Sequence, residues 1–305
     1  MEIKEFARKV CCAMEKEFCG ECRVELREVP KNNGVVLHGM LIVSKERNVI
    51  PTIYLDTFWE AYEGGMTFAE VVRRLAEIYR KETCRKNIDM DFFKDFTRVK
   101  DRICYRLVGK RANKAMLTDI PHIDYLDLAV CFFYAYQGPE LGEGTILIHN
   151  SHMELWGTNT LELLQLAEKN TPRLFPPRVF YMEEMLDDLL REAGSEERIA
   201  VGECKVFLEN IPMRVLSNDR KNQGATCLLY DGVLEQQAVR YGGSFYILPS
   251  SIHEIIMLPD SGNESAEMLR LMIHDVNRTQ VSPEEVLSDS LYYYDARAKK
   301  MKIVS

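Results

Sequence analysis

Residues 67–80 read TFAEVVRRLAEIYR, an alternation of apolar and charged side chains at spacings of three and four. This periodicity is typical of an amphipathic helix. Its apolar side chains form one stripe: Phe68, Val71, Val72, Leu75 and Tyr79. Thr67 and Glu70 match a capping box, in which each side chain bonds the backbone amide of the other residue. The segment therefore predicts a helix that begins after Thr67 and packs its stripe against a sheet.

The chain before this helix predicts the strands of that sheet. Residues 24–26 alternate between apolar and charged side chains, and residues 35–43 are mostly apolar. Asn33 and Gly34, between these two runs, tolerate the positive φ angles of a tight hairpin turn. Pro51 cannot donate a ladder hydrogen bond, so we expect it at the start of the third strand or in a strand at an edge of the sheet.

The rest of the chain mixes further helix and strand patterns. Capping boxes predict three more helix starts, at Thr57 with Glu60, Ser251 with Glu254, and Ser282 with Glu285. Helical spacing also marks residues 3–18, 161–167, 182–193 and 269–276. Strand-like runs cover residues 102–108, 126–136, 145–149, 205–208, 212–216, 225–230 and 244–248. The predicted class is α+β, with antiparallel or mixed sheets flanked by amphipathic helices.

A length of 305 residues exceeds that of a typical single domain. We expect an N-terminal α+β lobe over residues 1–86, a middle lobe over 87–178 and a C-terminal lobe over 179–305. A weak internal sequence repeat suggests repeated lobes: KNNG at 31–34 and KNQG at 221–224 each lie between two strand-like runs.

Composition excludes several classes of protein. With 46% apolar and 28% charged residues, the chain is neither disordered nor fibrous. A net charge of −8 argues against a protein that coats nucleic acid. No apolar run reaches the roughly 18 residues of a membrane span, and the first residues do not resemble a secretory signal. We therefore expect a cytoplasmic protein that does not enter a membrane.

One segment is basic within this acidic chain. Residues 73–114 hold 14 Lys or Arg against 6 Asp or Glu. If residues 100–107 form a strand, then Lys100, Arg102 and Arg106 project to one face. Lys110, Arg111 and Lys114 extend the charge into the next loop. Residues 100–114, which we call the basic segment, are either a solvated strand face or an exposed patch that binds a polyanionic partner, such as nucleic acid or an acidic protein.

The nine cysteines predict reduced thiols, because their number is odd and no signal peptide precedes them. Cys19 and Cys22 form the one CxxC motif, and no second pair completes a zinc site. His149 and His152 fit a turn with two polar caps better than a metal site. We expect no metal and no cofactor.

Ser250, Ser251, His253 and Glu254 suggest the nucleophile, base and acid of a hydrolase. However, adjacent residues on one short helix point apart, and a capping box already explains Ser251 and Glu254. An enzyme could still assemble its site from distant residues. The scattered candidates for such a site are Asp56, Glu60, Asp127, His253 and His274. No pair of them can be assigned a catalytic role from the sequence.

Seven blocks are distinctive when read together: residues 31–37, 51–55, 127–130, 166–171, 224–225, 246–254 and 286–289. Together they resemble one bacterial family known only as a domain of unknown function. A more distant similarity links the chain to the uncharacterised YtpQ-like proteins. The resemblance implies no activity and assigns no residue a role. The sequence favours a binding or adaptor protein, with an enzyme and a polyanion binder as the alternatives.

Overall fold

The computed structural model describes residues 2–18, 22–43, 52–82, 91–138, 142–181, 213–249, 251–262 and 265–304. The chain divides into two compact units, residues 1–93 with 136–144, and residues 94–135 with 145–305. Helices flank antiparallel sheets, which confirms the α+β class. The three-lobe division stays a prediction. No helix among these residues is long and apolar enough to cross a bilayer.

The first unit is built on a three-stranded sheet of order β1-β2-β3. Its elements are α1 (Ile3–Glu17), β1 (Arg23–Pro30), β2 (Val36–Val43), β3 (Thr52–Tyr54), α2 (Asp56–Glu63) and α3 (Phe68–Glu82). Asn33 and Gly34 have φ angles of 60° and 72°, so the hairpin uses the positive-φ residues that the sequence offers. The strand β3 lies at the edge, as predicted.

The core of this unit joins α1, α3 and the sheet. Fully buried Phe6, Val10 and Met14 of α1 share one cluster with Val71 and Leu75 of α3. Burying one such side chain stabilises a fold by about 1.5–3 kcal/mol. The predicted stripe is confirmed, since Tyr79 is also buried and Val72 packs against the same cluster.

The capping box of α3 is present as predicted. Glu70 donates its backbone N–H to Thr67 Oγ1 at 3.3 Å, and Thr67 donates its own to Glu70 Oε2 at 3.2 Å. These two bonds satisfy amides that the first turn of a helix leaves unpaired.

The elements from residue 94 onward form two antiparallel sheets. They are α4 (Phe96–Val99), β4 (Ile103–Gly109), α5 (Lys114–Leu117), β5 (His122–Tyr125), β6 (Leu128–Gly138), β7 (Gly142–Leu147), α6 (Asn150–Trp156), α7 (Thr160–Leu174), β8 (Pro177–Tyr181), β9 (Arg214–Asn218), α8 (Val233–Tyr241), β10 (Phe245–Leu248), β11 (Ile255–Pro259), α9 (Ala266–Thr279), β12 (Tyr292–Asp295) and β13 (Lys300–Ile303). One sheet has the order β4-β6-β5, with β7 also paired to β6. The other has the order β13-β12-β10-β11-β9-β8.

The helix α7 covers the edge of β4 with polar side chains. Asn170 donates from its amide to the carbonyl oxygens of Lys100 and Ile103, at 2.8 and 3.0 Å. The hydroxyl of Thr171 accepts from the backbone nitrogen of Tyr105 at 3.1 Å. The Ile103 oxygen and the Tyr105 nitrogen of β4 are thus paired without another strand, which leaves these two edge groups unavailable to another chain.

Three predicted helix starts are wrong in detail. The helix α2 exists, but it begins at Asp56, so Thr57 lies inside its first turn and is not its cap. Ser251 forms an isolated antiparallel bridge with Val286, and no helix follows it. Ser282 begins a turn instead of a helix, closed by the Glu285 amide bonding its carbonyl at 2.8 Å. Tertiary pairing of these segments overrides their local helix signals.

The predicted strand over residues 225–230 is also wrong. Residues Gly224–Leu229 form a 3-10 helix, which is buried except for the half-buried Leu229. A short apolar run is compatible with either a strand or a buried helical turn, so its periodicity does not distinguish them. The helix predicted at 182–193 and the strand predicted at 205–208 lie outside the described residues.

Candidate functional site

Residues 218–226, which we call the 218–226 loop, run from the last residue of β9 into the first half of the 3-10 helix. Asn218 is 1% exposed and organises the loop with its side chain. Its Oδ1 accepts from the backbone nitrogens of Arg220 and Asn222, at 3.0 and 3.3 Å, and its Nδ2 donates to the Asn222 oxygen at 2.7 Å. Lys221 and Gln223 both adopt the left-handed region, with φ angles of 51° and 55°. Such backbone costs energy and is often found at functional sites.

The next residue, Gly224, fits only because it lacks a side chain. A Cβ at this position would lie 2.1 Å from Ser217 Oγ and 2.4 Å from the carbonyl oxygen of His253. The backbone oxygen cannot move aside without breaking the bond it accepts from Ser217 Oγ at 2.7 Å. The glycine therefore lets the chain turn inward and fixes where Gln223 and Thr226 point.

A cavity of about 30 Å³, which we call the Gln223 cavity, lies beside this loop. It is lined by four aromatic residues, Tyr105, Phe133, Phe175 and Tyr230, and by Thr145, Thr171, Asn218, Asn222, Gln223 and Thr226. Two lining residues carry buried polar atoms without a hydrogen-bond partner, Gln223 Oε1 and Thr226 Oγ1. Unpaired buried polar atoms are rare in folded proteins, so each of them needs an explanation.

The chemistry of the Gln223 cavity is polar and uncharged. The Gln223 oxygen can only accept a hydrogen bond, whereas the Thr226 hydroxyl can donate or accept one. Burial is the main cause that raises the pKa of both Tyr105 and Tyr230, so these phenols stay neutral. A ligand group between the aromatic rings that donates a hydrogen bond to Gln223 Oε1 and accepts one from Thr226 Oγ1 would pair both atoms.

His253 lies beside the loop but has no ring nitrogen free to act as a base. Its Nδ1 accepts from the backbone nitrogen of Gln223 at 3.3 Å, so the proton of the neutral ring is on Nε2. Nε2 is 3.3 Å from Glu285 Oε1 and donates to it. Ser251 Oγ accepts from the backbone nitrogen of His253 at 3.0 Å. The hydrolase constellation is therefore not assembled here, and Ser250 lies outside the described residues.

Asp127 accepts hydrogen bonds from three hydroxyl groups. Ser288 Oγ and Ser290 Oγ donate to Oδ2 at 2.6 and 2.9 Å, and the Tyr292 hydroxyl donates to Oδ1. Burial, followed by this bond to Asp127, raises the pKa of Tyr292. The carboxylate thus ties β12 to the turn before β6, which is a structural arrangement.

The other scattered candidates have separate surroundings. Asp56 accepts from the backbone nitrogen of His38 at 2.7 Å, and its other oxygen lies 3.1 Å from Nδ1 of the same residue. The other ring nitrogen of His38, Nε2, is buried and has no hydrogen-bond partner. Glu60 and His274 are exposed on α2 and α9. The five candidates do not form one catalytic group within either unit.

His149 and His152 form a capping box at the start of α6, as the prediction of two polar caps requires. The backbone nitrogen of His149 donates to His152 Nδ1 at 3.0 Å. Burial, with the nearby His149, lowers the pKa of His152 and favours this neutral form. Across the described ranges, no three His, Cys, Asp or Glu side chains come close enough to hold a metal ion.

The basic segment does not form the predicted row. Residues Lys100–Arg102 make a 3-10 turn, and β4 begins only at Ile103, because α7 binds the carbonyl oxygens of Lys100 and Asp101. Arg102 donates its Nε to the Ala135 oxygen at 2.5 Å. Arg106 is half-buried with an unpaired Nε, and burial lowers the pKa of its guanidinium.

The remaining basic side chains of residues 100–114 reach solvent. Lys110 pairs with Asp124 at 2.5 Å, while Lys100, Arg111 and Lys114 are exposed. Anion binding by the segment stays a prediction, and these exposed groups are the ones available for it.

The class of protein that emerges is an antiparallel α+β protein with a small polar cavity beside a fixed loop. The chain belongs to a family of unknown function, DUF5688, whose model matches residues 3–296. The family prediction is confirmed, while the more distant YtpQ-like similarity stays a prediction. Neither the curated proteins nor the solved structures contain a match to this chain.

Blocks that carry the family resemblance meet in the second unit. Ala225 donates its backbone N–H to the Ile252 oxygen at 3.2 Å, and Ser288 donates its own to the Pro249 oxygen at 3.2 Å. Sequence reasoning noticed the KNQG run at 221–224 but not the Gln223 cavity. No sequence signal marks the cavity, because the left-handed conformations of Lys221 and Gln223, on either side of Asn222, appear only in the folded backbone.

Proposed function

We propose that this protein is a binding protein whose Gln223 cavity receives a small neutral polar group, a hydroxyl or a primary amide, at the end of a larger ligand. The observation that carries the proposal is the pair of buried, unpaired atoms, Gln223 Oε1 and Thr226 Oγ1, at one cavity. Leaving a buried polar group unpaired costs about 1–3 kcal/mol. A ligand group that bonds both atoms recovers this cost on binding.

The surroundings favour a neutral group over an ion. No lining residue carries a formal charge, and burying an unpaired charge is much more costly than burying a dipole. The guanidinium carbon of Arg220 lies 4.9 Å from the centre of the Phe175 ring, which places a positive charge beside one wall and disfavours a cation. A carboxylate would face the Gln223 oxygen, which cannot donate to it.

The size of the cavity limits how much of the ligand enters it. A cavity needs about 10–15 Å³ to hold one water molecule, so a cavity of about 30 Å³ admits one small polar group and not a whole ligand. Thr145 and Asn222 line the cavity and are exposed, so the rest of the ligand extends toward solvent past them.

The enzyme alternative has less support. Both ring nitrogens of His253 are engaged, and the unpaired nitrogen of His38 is buried. General acid–base catalysis requires a titratable group within hydrogen-bond reach of substrate. Neither histidine supplies one.

Ligand-observed NMR with the full chain tests the proposal. The probes are methanol, formamide and acetamide, compared with methylammonium and formate. The neutral probes should bind weakly, because a ceiling of about 1.5 kcal/mol per heavy atom limits the Kd to about 40 μM for acetamide and about 6 mM for methanol. Gln223→Met and Thr226→Val should each abolish this binding, whereas Gln280→Met and Thr279→Val, at exposed positions of the same residue types, should not.

Stability distinguishes a ligand site from a permanently hydrated one. Thr226→Val should leave the free energy of unfolding unchanged or raise it, since it removes an unpaired hydroxyl. A loss of stability in this variant would mean that water already satisfies the hydroxyl. That loss, or equal binding of neutral and charged probes, would overturn the proposal.

A further inference from the structure

We infer that a groove on the outer face of α1 is a docking site for an acidic amphipathic helix of a partner protein. The groove, which we call the α1 groove, has a volume of about 620 Å³. It is lined by Arg8, Lys9, Cys12, Ala13 and Lys16 of α1, with Tyr62 of α2 and Phe68 of α3. It lies within the first unit and is independent of the Gln223 cavity.

The floor of the α1 groove is apolar and firmly held. The ring of buried Phe6 lies 5.2 Å from the ring of Tyr62 and 6.2 Å from that of Phe68, centre to centre. Both outer rings are half-buried, so each keeps a surface toward solvent. Cys12 and Ala13 are small, and they leave the space between α1 and these rings unfilled. A rigid apolar floor of this kind suits the apolar face of a helix.

The rim of the groove is positively charged on a chain that is acidic overall. Arg8 and Lys16 are exposed, and no carboxylate among the described residues forms an ion pair with either of them. Lys9 lies between them and already pairs with Glu5 at 2.7 Å. Two unneutralised cations beside an apolar floor favour a partner with carboxylates beside its own apolar face.

The spacing of the rim charges fits a helical partner. Arg8 and Lys16 are eight residues apart on α1, which corresponds to about 12 Å at about 1.5 Å per residue. Acidic residues seven or eight positions apart on a helix laid along α1 would match both cations. The apolar residues between them, three and four apart, would then face Tyr62 and Phe68.

The test uses the full chain and a fluorescein-labelled 15-residue helical peptide with leucines along one face and glutamates seven and eight positions apart beside them. Fluorescence anisotropy should show saturable binding that weakens as salt rises from 50 to 300 mM, because exposed ion pairs are screened. The same peptide with glutamine in place of glutamate should bind at least tenfold more weakly. Equal binding of the two peptides would overturn the inference.

Two double variants with the same net charge distinguish the effect of the groove cations on peptide binding from the effect of the net charge of the protein. Arg8→Glu with Lys16→Glu should weaken peptide binding at least tenfold, while Arg240→Glu with Lys300→Glu, which changes the net charge equally at exposed sites, should change it less than twofold. Ala13→Trp should fill the groove and block binding, with circular dichroism confirming the fold. Equal losses in both double variants, or binding of phosphatidylglycerol vesicles and not the peptide, would overturn the inference.

Discussion

The hydroxyl of Thr171 accepts a hydrogen bond from the backbone nitrogen of Tyr105 at 3.1 Å, across 66 positions of the chain. The same hydroxyl donates to the carbonyl oxygen of Ala167 at 2.6 Å. Together with Asn170, it lets a helix take the place of a strand along the edge of β4. These two side chains thereby hold α7 against the edge of β4.

Thr171→Val should lower the free energy of unfolding by about 1–3 kcal/mol, because the Tyr105 amide would be left buried and unpaired. Urea unfolding followed by circular dichroism measures the change. Thr279→Val is the matched control, since Thr279 also donates to the carbonyl four residues back, at 2.9 Å, but is exposed. Equal effects of the two substitutions would contradict the role given to Thr171.

Gly224→Ala should destabilise the protein by about 1–3 kcal/mol or more, because overpacking a filled site forces backbone shifts. Its new methyl group would lie 2.4 Å from the His253 oxygen. Gly243→Ala is the control, since nothing lies within 4 Å of a Cβ there. Thermal unfolding of both variants checks the prediction, and an unaffected Gly224→Ala would show that the loop adjusts freely.

The stability of the protein should depend on pH through Glu254. Burial is the main cause that raises the pKa of this carboxyl above its ordinary 4.5, and Glu285 adds to the effect while His253 opposes it. The folded state therefore holds the proton more tightly than the unfolded state does. The stability that this provides is complete below pH 4.5 and is lost as pH rises through the folded pKa.

Glu254→Gln removes this dependence. Relative to the wild type, the variant should gain stability as pH rises from 4.5 toward neutrality, and the difference should then level off. Denaturant unfolding at a series of pH values measures it. A difference that stays constant with pH would show that Glu254 titrates normally.

The thiols should differ in reactivity. Cys12 is exposed, whereas Cys104, Cys131 and Cys227 are buried, and burial raises the pKa of each of these three to about 12. Since the thiolate is the reactive form, Ellman's reagent at pH 8 should modify Cys12 quickly and the buried three only on unfolding. Cys12→Ser should remove one fast-reacting thiol.

Denatured protein should titrate nine thiols, the number in the sequence. A persistent shortfall would indicate a disulfide or a bound metal. Fast modification of any of the three buried thiols in the native state would contradict their burial.

Polyanion binding by the basic segment should depend on its exposed cations and not on the half-buried Arg106. If it binds a polyanion, replacing the exposed Lys100, Arg111 and Lys114 by Glu should abolish binding to labelled oligothymidylate, while Arg106→Met should leave it unchanged. Electrophoretic shifts at low salt measure this. The absence of wild-type binding at 20 mM salt would end the polyanion hypothesis.

Arg106→Met should also show that the guanidinium contributes little to the fold. Its Nε has no partner, and replacing a buried charge with an apolar side chain of similar size is often neutral or stabilising. Chemical unfolding of this variant should give a free energy equal to the wild type or higher.

The sequence by itself determined the elements whose signals are local. The helix α3 was predictable from its stripe and the Thr67–Glu70 box, and the β1–β2 hairpin from Asn33 and Gly34, because both depend on contacts within a few residues. Membership of the family was also predictable from the sequence, because short blocks of residues along the chain resemble it.

Only the tertiary structure decided the site. The Gln223 cavity is lined by side chains from β4, α7 and the 218–226 loop. Nδ1 of His253 cannot act as a base because it accepts a hydrogen bond from a backbone amide 30 residues away. Lys100 and Arg102 do not belong to the predicted strand, because Asn170 of α7, 70 positions further along the chain, binds the Lys100 carbonyl oxygen. The physical reason is that burial and hydrogen-bond pairing depend on which distant residues fill the space around a side chain, and local periodicity carries no information about them.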